Sequence, residues 1–156
     1  GKFGLSIMIK NHRIFLDTSV VFAAVLSEAG GARKLFRFAE IELIQLVVGP
    51  NVLRECETVV RRKAPESLPV FAYLLELSQV EIAREPAEEA IEQANSILEY
   101  QPDVYVLAEA IGAAPDWFVT HDKEHFLTIK KNSKFGFLVG TPGDLIQALE
   151  EEFTQI

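Results

Sequence analysis

Asp17 closes the run Ile14-Phe15-Leu16, and Thr18, Ser19 and an apolar stretch over 20–26 follow it. Three apolar residues without alternation suit a strand buried on both faces. Thr18 and Ser19 are favourable helix N-caps. Asp17 is therefore expected where a central strand feeds a helix, the edge at which open α/β sheets bind ligands. Taken alone, it reads equally well as a turn residue beside a helix start. The device recurs late in the chain, where Trp117-Phe118-Val119 runs into Thr120 and Asp122 follows at once. Two parallel strands ending this way bring Asp17 and Asp122 close together.

Two helices offer further acids. In a helix over 102–111, Val104, Leu107, Ala108 and Ile111 form the buried face. Asp103 falls on the side of Leu107 and Ala110, while Tyr105 and Glu109 point outward at about 100° per residue. An acid in the first turn complements the helix dipole by about 0.3–1 kcal/mol. An exposed one would do so equally well, so the inward side is what singles out Asp103. In a helix over 51–63, Val52, Cys56, Val59 and Val60 form the apolar stripe, and Glu55 and Glu57 lie near its opposite edges. Periodicity does not choose between them. Carboxylates converging at one sheet edge repel and raise one another's pKa. A divalent cation removes the conflict. Oxygen ligands without a cysteine or a compelling histidine pair suit Mg²⁺ or Mn²⁺ rather than zinc.

The elements that must position these acids follow from breakers and caps. Gly30 and Gly31 end the first helix, and a second is expected over 32–39. A buried strand over 43–48 stops at Gly49-Pro50, and Asn51 is the expected cap of the next helix. Pro65 stops that helix, and Ser67 caps another through Leu77. A short strand over 80–83, a helix over 86–98, the helix from Pro102, a strand over 117–120 and a strand over 137–139 complete the order. Thr141-Pro142-Gly143 opens a terminal helix to about Phe153. Alternating strands and helices predict an α/β fold with a mainly parallel sheet covered on both faces. The chain reads as a single domain over 1–156, its core over about 13–153.

Composition limits the function. The chain has 156 residues, 49% of them hydrophobic, so it is long and apolar enough for a sizeable core. A net charge of -8 argues against non-specific coating of DNA, which needs a broad basic surface. The single cysteine, Cys56, excludes an internal disulfide and reads as a small buried apolar residue. No stretch approaches the length of a membrane span, and the run over 5–9 is too short for a signal-peptide core. A soluble cytoplasmic protein is expected.

Four segments in order, FLDTSVV, GPNVLRECETVV, PDVYVLAEAIGAAPDWFVTHDKEHF and the closing strand with GTPGDLIQAL, make the chain resemble the PIN-domain family, including toxins of toxin–antitoxin pairs. The resemblance spans 13 to about 153. It implies a three-layer α/β/α sandwich, Rossmann-like in character, and a Mg²⁺- or Mn²⁺-dependent endoribonuclease. It maps the acidic set onto Asp17, Glu55, Asp103 and Asp122, with Asp17, Asp103 and Asp122 as metal ligands, and it is what favours Glu55 over Glu57. Thr18 or Ser19, and Thr120, match supporting hydroxyls. Asp116 matches a further acid before the fourth strand, although it is also a good turn residue after Pro115. The acid common just before Phe126 is replaced here by His125, with Glu124 preceding it. The resemblance also implies an antitoxin partner and a homodimer. Arg61, Arg62 and Lys123 are candidate RNA contacts, and Arg33, Lys34, Arg37, Lys63, Lys130, Lys131 and Lys134 are weaker ones, since charge runs are usually solvated faces.

Three other readings compete. A PIN domain that binds a partner without cutting would share the fold. A phospho-acceptor receiver domain needs an Asp at the end of the third strand, where this chain has Ile82-Ala83-Arg84. A zinc hydrolase would use His121 and His125, but HDKEH departs from HExxH and a strand runs into it. His12 is isolated and expected to be exposed.

Overall fold

The computed structural model describes residues 11–122, 124, 129 and 135–155. Five strands form one sheet in the order β3-β2-β1-β4-β5, and every neighbouring pair is parallel. They are β1 (His12–Leu16), β2 (Ile44–Val48), β3 (Glu81–Ile82), β4 (Trp117–Val119) and β5 (Leu138–Gly140). Seven helices among the described residues flank it: α1 (Thr18–Leu26), α2 (Gly31–Glu40), α3 (Pro50–Lys63), α4 (Leu68–Leu77), α5 (Glu88–Asn95), α6 (Gln101–Ala113) and α7 (Pro142–Thr154). This is the expected α/β/α architecture.

β1 is central because its apolar run tolerates no solvent on either side. Ile14, Phe15 and Leu16 are each 0% exposed. Phe15 stacks on Phe118 of β4 with ring centroids 5.6 Å apart, and Phe118 on Phe137 at 6.2 Å. From β1 the sheet grows toward β2 and β3 on one side and toward β4 and β5 on the other. The switch in direction therefore falls between β1 and β4, where the crevice beyond the strands' carboxyl ends is left open. This order also differs from the 2-1-3-4-5 order of receiver domains.

Several boundaries differ from expectation. Asp17 itself, not Thr18 or Ser19, is the N-cap of α1, and its side chain accepts from the Val20 amide. α3 begins at Pro50 with Gly49 at the N-cap, so Asn51 does not cap it. Ser67 does occupy the N-cap of α4, but after a 3₁₀ turn (Pro65–Ser67) and without a side-chain bond. The third strand shrinks to Glu81–Ile82, α5 ends at Asn95 rather than near 98, and β5 runs one residue later than expected. Thr141 caps α7 as expected, in a reciprocal pair with Asp144. Cys56 is buried, and that burial pushes its thiol up to about 12, so it packs rather than reacts. His12 is neither isolated nor exposed: its Nε2 lies 2.8 Å from Glu152 of α7. Among the described residues no helix is long and apolar enough to cross a membrane.

Candidate active site

Parallel pairing of β1 with β4 sets Leu16 beside Val119, and the Asp17 amide donates to the Val119 carbonyl at 3.2 Å. The ladder thus delivers Asp17 and Thr120 to the same edge of the sheet. The Thr120 hydroxyl donates to Oδ2 of Asp17, and the Ser19 hydroxyl donates to Oδ1 at 2.5 Å. Each hydroxyl also accepts from the loop after β4. The Asp122 amide bonds to Thr120 Oγ1 at 3.0 Å, and the His121 amide bonds to Ser19 Oγ at 3.1 Å. Those amides engage hydroxyl lone pairs and leave the hydroxyl protons for Asp17. The Asp17 carboxylate is thereby fixed from both sides.

Burial pushes the Asp17 carboxyl above its ordinary value. The Ser19 and Thr120 hydroxyls and the Val20 amide oppose the rise, and the Asp122 charge adds to it. Among the described residues no lysine or arginine forms an ion pair with Asp17 or Glu55. Asp17, Asp103 and Asp122 line one hollow of about 30 Å³, walled by Thr120, Leu107 and Phe118. That is room for a water molecule or an ion. The first turn of α6 carries Asp103 to this place, with Val104 and Leu107 anchored beneath it in the core.

Glu55 is not part of the lining of this hollow. Its Oε2 accepts from the Thr18 hydroxyl at 3.1 Å, one residue beyond Asp17. Glu57 instead faces along α3 and pairs with Arg61 at 2.9 Å. The hydrogen bonds thus tie Glu55, not Glu57, to the residue after Asp17, and they divide the hydroxyls: Thr18 serves Glu55, while Ser19 and Thr120 serve Asp17.

Other candidates are not brought in. Asp116 accepts from the Arg13 amide at 2.8 Å, at the start of β1. Four residues of strand put it roughly 13 Å from Asp17, at the opposite edge of the sheet. Arg61 stands about 9 Å along the axis of α3 from Glu55 and is engaged with Glu57. Arg62 and Glu124 are exposed. Lys123, His125, Lys130, Lys131 and Lys134 lie outside the described residues.

Sequence reasoning missed Glu109. Expected to face outward, it is 1% exposed. Its Oε2 accepts from the Asn51 amide at 2.7 Å, and the Val52 amide also bonds to it. The side chain on α6 therefore caps α3, and it complements the positive end of that helix. The contact requires glycine at position 49, because a Cβ there would lie 2.2 Å from the Glu109 carboxyl carbon. Burial pushes the carboxyl up to about 7, against the pull of the two amides and the nearby Arg54, with Glu85 adding to the rise. The signal that could have found it is a helix opening on Gly-Pro with no side chain to cap it.

A PIN-domain family model matches residues 13–124. The chain belongs to the PIN-domain family. PIN domains are in general nucleases. The fold is similar to that of a chain in the crystal structure of VapBC2 from Rickettsia felis bound to a DNA fragment from its promoter. The TM-score is 0.62 at 14% identity, over 82% of this chain and 98% of that one. Among curated proteins, none matches.

The three carboxylates around the hollow do not close into a cage, and among the described residues no group of three metal-binding side chains is drawn together. The donors are nevertheless hard oxygens and anionic, and they sit around a space of ionic size. Mg²⁺ characteristically binds through one or two carboxylates and keeps its remaining waters. The residues present fit such an ion.

Proposed function

We propose that this PIN domain is an endoribonuclease that hydrolyses RNA phosphodiester bonds with Mg²⁺ or Mn²⁺. The observation that supports the reading is the meeting of Asp17, Asp103 and Asp122, from three separate parts of the chain, at one hollow, with Glu55 bonded to Thr18 beside Asp17. Asp17, Asp103 and Asp122 would hold the cation directly or through water. Bound there, it supplies positive charge to the developing phosphorane and a lower pKa to the attacking water. The chain's own groups do the rest. Ser19 and Thr120 hold Asp17 in one rotamer, so the carboxylate needs no reorganisation when charge develops. Glu55, exposed and oriented by Thr18, is placed to accept a proton from water at the rim. Leu107 and Phe118 shield the acids' inner side and strengthen every charge interaction in the hollow.

By analogy with the VapBC2 complex, the reading extends to an antitoxin partner; a homodimer and a cytoplasmic setting rest on the family resemblance alone. The experiment is cleavage of a labelled single-stranded RNA by the purified chain with Mn²⁺, with EDTA and with Asp17→Asn. Cleavage that needs Mn²⁺ and disappears in the variant is expected. A wild-type chain that neither binds Mn²⁺ by calorimetry nor cuts would instead be a binding scaffold.

A further inference from the structure

α3 and α6 do not pack tightly along their outer sides. Between them runs an open groove of about 410 Å³. Asn51, Arg54 and Thr58 of α3 form one wall, and Gln101 and Tyr105 of α6 form the other. The groove neighbours the acid hollow: Val106 lines both, and Glu55 lines the groove. Tyr105 is 41% exposed, well above what a core tyrosine shows. A solvated aromatic ring beside amide and hydroxyl groups, with a guanidinium at the margin, matches an unpaired nucleobase and its phosphate.

The charge of the molecule limits how such an occupant can be held. A chain of net charge -8 cannot grip a polynucleotide by neutralising a long run of phosphates. Ring stacking and a bound cation would supply affinity that a long basic surface supplies elsewhere. Arg54 is the one cation lining this groove among the described residues, held by Asn51 Oδ1 at 2.7 Å and Glu85 at 3.3 Å. Its side chain is well exposed, so it can meet one phosphate without a basic surface around it. A duplex keeps its base faces stacked inside and offers none to Tyr105. Only a single strand can.

Resting on the nuclease reading above, we propose that the α3–α6 groove seats an unpaired base of the RNA strand next to the scissile phosphate, stacked on Tyr105, with Arg54 on the adjoining phosphate. The groove then selects single strands and sets which side of the cut carries the preference.

The test compares wild type, Tyr105→Phe, Tyr105→Ala and Arg54→Ala on a mixed-sequence RNA 12-mer, single-stranded and annealed to its complement, with Mn²⁺. Tyr105→Ala should lower kcat/KM on the single strand about tenfold, chiefly through KM, and Tyr105→Phe should restore it. Mn²⁺ affinity by calorimetry should not move. Arg54→Ala should weaken binding and reduce the salt dependence by about one phosphate contact. Equal cleavage by Tyr105→Ala and wild type, equal losses in the Ala and Phe variants, or equal cutting of duplex and single strand would each overturn the base seat and leave the nuclease reading standing. A wild type inert on all RNAs with Mn²⁺ would overturn both.

Discussion

The two edges of the sheet use the same kinds of side chain to opposite ends. At the amino edge, the Arg13 guanidinium meets both Glu81 oxygens at 2.9 and 3.0 Å, the Arg13 amide is bonded to Asp116, and His12 meets Glu152. Acids there face cations or backbone, and Arg13 holds the Glu81 carboxyl below its ordinary value. At the carboxyl edge, Asp17 is met by two hydroxyls and an amide, its carboxyl is raised, and a second acid adds to the rise. One edge neutralises its acids internally. The other gathers acids around a space, and there Asp17 has hydroxyls and an amide where Glu81 has a guanidinium. An acid's surroundings, more than its presence, separate a structural role from a chemical one.

The sharpest break of this comparison is a pair of isosteric changes. Asp17→Asn should cut Mn²⁺-dependent cleavage about a thousandfold, by analogy with loss of other fixed charge-stabilising groups, without lowering the melting temperature. Asp116→Asn, at the other edge, should leave the rate within about twofold, measured in the same cleavage assay. Equal effects would erase the distinction between the edges.

Next in size is the pH dependence of stability. Glu109 has an ordinary value of 4.5 and a folded value of about 7. Between those values the folded chain keeps a proton that the unfolded chain releases. Stability therefore falls as pH rises from 4.5 through 7, by on the order of 3 kcal/mol, and then levels. Urea titrations across that window should show the slope, and Glu109→Gln should flatten it. Gly49→Ala follows, with a cost of about 2 kcal/mol in the same titrations, because the new methyl group meets the Glu109 carboxyl. Smallest is Arg13→Ala. The Arg13–Glu81 pair is well exposed, so its loss should cost about 0.5 kcal/mol at low salt and less at high salt.

The carboxyl edge was legible in the chain because its signals are local. An apolar run followed by an acid and two hydroxyls at 14–19, and by a hydroxyl and an acid at 117–122, defines strand ends, and parallel pairing brings two such ends together. Asp103 was legible because it shares a side with Leu107. Glu55 against Glu57 was not, since the deciding partner, Thr18, sits 37 positions earlier. Glu109 was misread because a helical wheel gives an angle and not a neighbour. Tyr105 and Glu109 share a side of α6, yet one opens into the groove while the other slides beneath the first turn of α3. Arg13 and Glu81 likewise meet only across the width of β2, where the register sets Glu81 level with Phe15 and the long guanidinium side chain covers the two-residue offset.

The cap on α3 arrives late. The amides of its opening turn wait for a carboxylate 58 positions downstream. On a ribosome, that turn would emerge and stay frayed while α4, β3 and α5 were still being made. Glu55, one turn further on, would gain a fixed platform only when α6 had left the exit tunnel. By then Asp103 is also out, so the wall bearing Glu55 and the wall bearing Asp103 become rigid in the same event. A nascent chain cut short before residue 109 would carry three of its four acids and lack the carboxylate that caps the helix bearing Glu55.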